Sequence, residues 1–128
     1  MIKLTCPVKI IMGSKEKAYY LNLNNYRNWH YQVSNKLKVM FKGLMHSQLK
    51  DIEPVKEVHS ITYTIFFGSK RRADLMNVGT VVDKFLCDAL QEYNIIPDDD
   101  KEFLHTFIFE YGGIYKGNPR VEVTIDHS

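Results

Sequence analysis

The stretch "DLMNVGTVVDKFLCDALQEYNIIPDDD", residues 74–100, decides how this chain is read. Residues 75–94 carry a helical period. At about 100° per residue, Val78, Val82, Phe85, Leu86 and Ala89 share one arc, which predicts their burial. Asn77, Thr80, Lys84 and Asp88 share the opposite arc. Asp74 stands just before this helix, and Asp98, Asp99 and Asp100 follow Ile95, Ile96 and Pro97. Adjacent carboxylates repel, and a cation or a neighbouring lysine offsets that repulsion. Each piece also has a plain reading: Asp74 as an N-cap, Lys84 and Asp88 as an i,i+4 pair on a wet face, the aspartates as a solvated turn after proline. Together they bracket a lysine-bearing polar face with acids from two loops.

Upstream, "VHSITYTIFFG" (58–68) is β-branched and aromatic and predicts a strand, ended by Gly68 and Ser69. "LTCPVKIIM" (4–12) reads as a strand with Pro7 at an edge or bulge, and "KAYYLNL" (17–23) as a weaker one. Between them and residue 50, Tyr26, Trp29, Val33, Leu37, Met40, Phe41 and Leu44 recur at three- and four-residue steps. They predict one long helix capped by Asn24 or Asn25. Downstream, "FLHTFIFEYGG" (103–113) and "NPRVEVTI" (118–125) read as a closing hairpin. The expected order is ββαβαββ: one α+β domain, a mixed sheet packed with two main helices.

The chain has 128 residues, enough for one core, and 45% of them are hydrophobic, which excludes a disordered chain. No apolar run reaches the ~20 residues of a membrane span, and the start lacks the layout of a signal peptide. Cys6 and Cys87 form no spaced framework, so a reduced, cytoplasmic setting is expected. His30, His46, His59 and His105 lack zinc-ligand spacing and read as structural or solvated. Tyr26 and Trp29, at helical spacing, read as core. The net charge is only +2, so its distribution matters more: basic residues dominate 27–50 and 70–72, acids 98–102.

The stretch "RRADLMNVGTVVDKFLCDALQEYNIIPDDDKEF" resembles the RusA-like family of Holliday junction resolvases, many of them encoded by phages and prophages. The likeness rests on Arg71-Arg72, Asp74-Leu75-Met76-Asn77, Lys84, Asp88-Ala89-Leu90, Ile95-Ile96 and Asp98-Asp99. It extends to "LNNYRNWH" (23–30) and to the tail "FEYGGIYKGNPRVEVTI" (109–125), hence to most of the chain. The resemblance implies a homodimeric, Mg2+-dependent endonuclease, with Mn2+ as a substitute, acting on four-way DNA junctions in recombination and repair. It assigns Asp74, Lys84 and Asp99 as catalytic, with Asp74, Asp99 and Asp98 toward the metal and Asp88 as a supporting acid. Two departures stand out. Met76 occupies a place where the family often carries an acid, and a thioether is a poor ligand for a hard cation. The stretch from Asn77 to Lys84 is about one helical turn longer than in compact members. Asp83 lies in that stretch and is the candidate replacement acid, although it projects about 120° from Asn77.

The chemistry fits these residue types. Phosphodiester hydrolysis gathers negative charge on the phosphate, and a hard cation held by carboxylates offsets it and lowers the pKa of a bound water. A lysine contacts a phosphate or leaving oxygen as a point charge. Affinity comes from phosphate contacts, for which Lys70, Arg71 and Arg72 are expected first and Arg27, Lys36, Lys38 and Lys42 next. Two matching nicks in a junction give a physical reason for two-fold symmetry. The competing expectations are a dimeric branched-DNA-binding protein with weak or no catalysis, and an α+β interaction domain with an acidic loop.

Overall fold

In chain order the elements are β1 (Ile2–Pro7), β2 (Lys9–Met12), β3 (Lys17–Tyr20), α1 (Leu23–Asn28), α2 (Tyr31–Leu49), β4 (Val58–Phe67), α3 (Leu75–Glu92), β5 (Phe107–Ile114) and β6 (Arg120–His127). The computed structural model describes residues 1–70, 74–97 and 106–128. Strand β4, the run of β-branched and aromatic residues, lies inside a four-stranded sheet of order β1-β6-β4-β5. Its alternate residues Ile61, Tyr63 and Ile65 are buried, as are Val121, Val123 and Ile125 of β6 and Leu4 and Cys6 of β1. This period of two gives the sheet one apolar face, and the helices cover it. The fold is a small α+β domain with a mixed sheet and, among the described residues, three helices. Among the described residues no helix is long and apolar enough to cross a membrane.

Helix α3 behaves largely as its period predicts. Val82, Phe85, Leu86 and Ala89 are buried, Val78 is half-buried, and Gly79, Val81, Cys87 and Leu90 widen the buried arc. The helix joins β4 to β5, which run parallel, so the three form a crossover unit. Gly79 sits directly against the sheet: a Cβ there would lie 2.4 Å from the Phe109 ring.

Several expectations are corrected. The last two strands are not a hairpin: β4 lies between them, parallel to β5 and antiparallel to β6. A strand that leaves a crossover helix pairs with the strand before that helix, which sequence adjacency does not reveal. The segment 4–12 is two strands. Pro7 lacks an N–H and ends β1, after which β2 pairs with β3 in a separate ribbon. The first helix is also two. Asn22, rather than Asn24 or Asn25, caps α1 by accepting from the Asn25 N–H at 2.9 Å. Trp29 is extended, with ψ of 135°, and its ring packs edge-on against Tyr19 and Tyr26. His30 then caps α2 through Nδ1. On α2 the buried stripe is Leu37, Phe41, Met45 and Leu49, while Met40 and Leu44 are exposed.

Ion pairs fasten α2 to α3. Lys38 reaches Asp88 at 3.5 Å, and Lys42 pairs with Glu92. Asp88 is thus engaged by Lys38. Between the helices Phe41 and Phe85 meet edge-to-face at 5.6 Å. No disulfide joins Cys6 and Cys87, both buried.

Two predictions follow from this packing. Gly79→Ala gains helix propensity but overpacks against Phe109, and a net loss of about 1–2 kcal/mol is expected in urea unfolding. Combined with Phe109→Leu, the two losses should be less than additive. Burial pushes the Cys6 thiol from 9.0 up to about 12, and burial also raises the Tyr63 phenol. A raised acid stays protonated in the folded chain while the unfolded chain ionises. The stability this gives is complete below about pH 9 and is lost as pH climbs toward 12, at up to ~1.4 kcal/mol per unit for Cys6. Thermal melts should show Cys6→Ala flattening the decline that begins near pH 9.

Candidate functional site

The N-terminus of α3 carries the first acid. Asp74 is exposed, with extended backbone, and its Oδ1 accepts from the Met76 N–H at 2.9 Å, so it is a helix N-cap. One turn on, Asn77 Oδ1 accepts from the Leu23 N–H at 3.1 Å. That N–H belongs to the first turn of α1 and has no acceptor within its own helix. The side chain of Asn77 therefore ties the start of α1 to the start of α3.

Asp74 and Asn77 line an open cleft of about 1160 Å3. The β2–β3 ribbon contributes Lys9, and the start of α1 contributes its cap Asn22 and Asn24 to the walls. The end of β4 contributes Ser69, and the β5–β6 connection contributes Lys116. One carboxylate thus shares the described cleft with two ammonium groups and several amides, a lining suited to an anionic, hydrogen-bonding ligand. Lys9 and Lys116 were not expected from sequence. Both are isolated lysines in unremarkable surroundings, and only the fold brings them together.

Other expected site residues lie elsewhere. Lys84 is exposed, with its Nζ 5.9 Å from the Tyr26 ring centroid. Ten residues past Asp74, it stands about 15 Å farther along the helix axis. Asp83 accepts from the Tyr63 hydroxyl and, at 3.4 Å, from the Cys87 thiol. It faces the sheet, about 13 Å along the axis from Asp74, and does not replace the acid missing at Met76, itself 60% exposed. Asp88 is farther still. Arg27, Lys36 and Lys70 are exposed, while Lys38 and Lys42 are the cations paired with Asp88 and Glu92. Arg71, Arg72, Asp98, Asp99, Asp100 and His105 lie outside the described residues. Three histidines have structural partners: His30 as the α2 cap, His46 with the Tyr93 hydroxyl at 2.7 Å, His59 with Ser128 at 2.7 Å. Tyr26 and Trp29 are half-buried in an aromatic cluster that reaches Phe85.

Among the described residues no three His, Cys, Asp or Glu side chains gather around a point where a metal ion would sit. Asp74 supplies one carboxylate, and Mg2+ binds through as few as one or two, with water and phosphate completing its shell. The donor chemistry of Asp74 fits such an ion; a second acid must come from beyond the described cleft. Pro97, from which Asp98 and Asp99 continue, follows the other end of α3, a helix of 18 residues and hence about 27 Å.

No model of a known protein family matches the chain, and no curated protein matches it.

The cap and the core carboxylate separate by mutation. Asp74→Ala should cost about 1 kcal/mol in urea unfolding, whereas Asp74→Asn keeps the cap and should lie within ~0.5 kcal/mol of the parent chain. Tyr63→Phe removes the hydroxyl donor from Asp83 and should cost about 1–3 kcal/mol by the same measurement.

Proposed function

We propose that this chain is a metal-dependent endonuclease that resolves four-way or related branched DNA in the cytoplasm, as a homodimer. The observation that carries the reading is the place of Asp74, an exposed carboxylate fixed by its own helix cap at a cleft flanked by Lys9 and Lys116. The RusA-like pattern from Arg71 to Asp99 supplies the chemistry. Asp74, Asp99 and Asp98 are the residues that would hold Mg2+ or Mn2+, and the ion when bound would neutralise phosphate charge and acidify a water. Lys9 and Lys116 draw the phosphate backbone into the cleft, while Lys70, Arg71 and Arg72 extend the contact along the strand. Lys84, about 15 Å along the helix from Asp74, would contact a phosphate oxygen as a point charge away from the described cleft. Because α3 separates Asp74 from Pro97, a common site takes Asp74 from one chain and the late aspartates from the second.

Met76 favours a second reading, a dimeric branched-DNA-binding protein without catalysis, since a thioether stands where the family pattern often carries an acid. A synthetic four-way junction separates the two. Nicking in Mg2+ or Mn2+ that EDTA abolishes supports the nuclease; tight binding with no nicking in either ion supports the binding protein.

Asp99→Asn and Asp74→Asn should each abolish cleavage and keep or tighten junction binding, because each removes charge that repels phosphate. Cleavage by either variant at the parent rate removes that residue from the site. Arg72→Ala should weaken binding on all sequences and lower the slope of log K against log salt by about 0.9 per arginine lost. An unchanged slope takes Arg72 off the contact surface.

A further inference from the structure

Two asparagines of the cleft are oriented by the backbone they serve. Asn22 Oδ1 accepts from the Asn25 N–H at 2.9 Å, and Asn77 Oδ1 accepts from the Leu23 N–H at 3.1 Å. An N–H is met only by the oxygen of a carboxamide, so the NH2 group of each is left as a donor. Among the described residues neither NH2 donates to another group. Both side chains are half-buried where they line the cleft. The cleft therefore holds fixed amide donors, with the exposed ammonium groups of Lys9 and Lys116 beside them.

The rest of the lining is apolar. Half-buried Val8, Phe67, Val78 and Pro119 face the same space. Tyr20, 50% exposed, adds a ring with the Lys9 Nζ 5.7 Å from its centroid. The wall at Phe66 is held in place from outside. The Arg120 guanidinium lies 4.2 Å from the Phe66 centroid and 5.1 Å from that of Tyr115, and donates to Glu122 at 2.9 Å. The Tyr115 N–H donates to the Phe67 carbonyl at 2.7 Å, which fastens the connection bearing Lys116 to the end of β4. A cleft built in advance costs little ordering when a ligand enters.

We infer that this cleft receives one unstacked nucleotide, its base against the apolar lining and its phosphates at Lys9 and Lys116. A base within a duplex has both faces covered by its neighbours, so an apolar wall gains nothing from it; an extruded or single-stranded base offers a bare face. The amide donors match the ring nitrogens and carbonyl oxygens at a base edge. An alkyl chain would leave those donors unpaired at the contact. The volume of about 1160 Å3 exceeds the roughly 300–1000 Å3 of most small-molecule clefts, which leaves room for backbone on either side of the base. This deepens the proposed function and rests on it for the identity of the polymer; the nucleotide subsite itself stands on the described residues.

Binding in EDTA separates the base from the backbone. The probes are a DNA duplex with a single unpaired thymidine, the same duplex with an abasic residue at that place, and free thymidine monophosphate. The parent chain should bind the thymidine bulge about tenfold tighter than the abasic one, within what one stacked base contributes. Asn22→Ser keeps an oxygen for the helix cap and removes the NH2. It should lose most of that preference with an unchanged circular dichroism spectrum. Lys116→Ala, at an exposed position, should weaken both bulges by the same factor. Saturable binding of thymidine monophosphate that Lys116→Ala weakens, without preference between the bulges, supports the subsite and makes the free nucleotide its ligand. Equal binding of the two bulges with no binding of the monophosphate overturns the subsite, as does an Asn22→Ser variant that keeps the whole preference. Metal-dependent nicking of junctions by a protein without base preference keeps the nuclease and removes the subsite. A base preference in a protein that nicks in neither metal does the reverse.

Discussion

The contact between Gly79 and Phe109 sets the position of α3, and most of the structure follows from where that helix lies. With no Cβ at residue 79, the helix backbone settles directly onto an aromatic ring of β5. A side chain there would lift the helix and open a gap beneath Val82, Phe85 and Leu86. The Tyr63–Asp83 hydrogen bond adds rotational definition, because it pulls one point of the helix surface toward the middle of the sheet. Burial raises the affinity of Tyr63 for its proton, and the nearby Asp83 carboxylate adds to that effect. The hydroxyl therefore stays a donor across the ordinary pH range. Height fixed at Gly79 and rotation fixed at Asp83 together place Asp74 at the cleft and turn Asn77 toward the start of α1.

What the sequence made legible was whatever a local signal specifies. The 3.6-residue period of 75–94 and the β-branched run 58–67 each carry their own evidence, and both elements formed close to their expected bounds. Pairing across the sheet is not local. Nothing in "FIFEYGG" distinguishes a strand parallel to β4 from one in a hairpin with β6, because either arrangement buries alternate residues. The first helix misled for another reason. Val33, Leu37 and Phe41 fit two stripes, one continued by Met40 and Leu44 and one by Met45 and Leu49, and only the core selects the second. The break at Trp29 depends on aromatic partners from β3 and α1, which periodicity does not register.

The candidate site was legible to a similar degree. Asp74 stands out by type and place, and its geometry is that of the plain reading, a helix N-cap. A capped carboxylate keeps one oxygen for the helix and presents the other to the cleft. Projection down the helix axis groups Lys84 with Asn77 beside Asp74, but it preserves angle and discards height. Seven residues from Asn77 restore nearly the same direction at two turns' remove, and that distance separates the two groups in space. Lys9 and Lys116, about a hundred positions apart, share the cleft because the start of β2 and the β5–β6 connection line it together with the first turn of α3.

Helix length then links assembly to chemistry. Helix α3 is about 27 Å long, far longer than one metal ion with ligands at roughly 2 Å can bridge, and Asp74 and Pro97 stand beyond its opposite ends. If both acid groups serve one ion, as the proposed function has it, a second copy of the chain would be one way to bring them together. The edge carrying Gln48 over Thr5 is closed to a further strand on that side of the sheet. On this reading the monomer holds only half of each catalytic centre. Hydrolysis would then depend on dimer concentration, and a junction that presents two strands symmetrically would meet two centres at a fixed separation. Matching nicks would follow from the geometry of the protein pair, with no signal required between its halves.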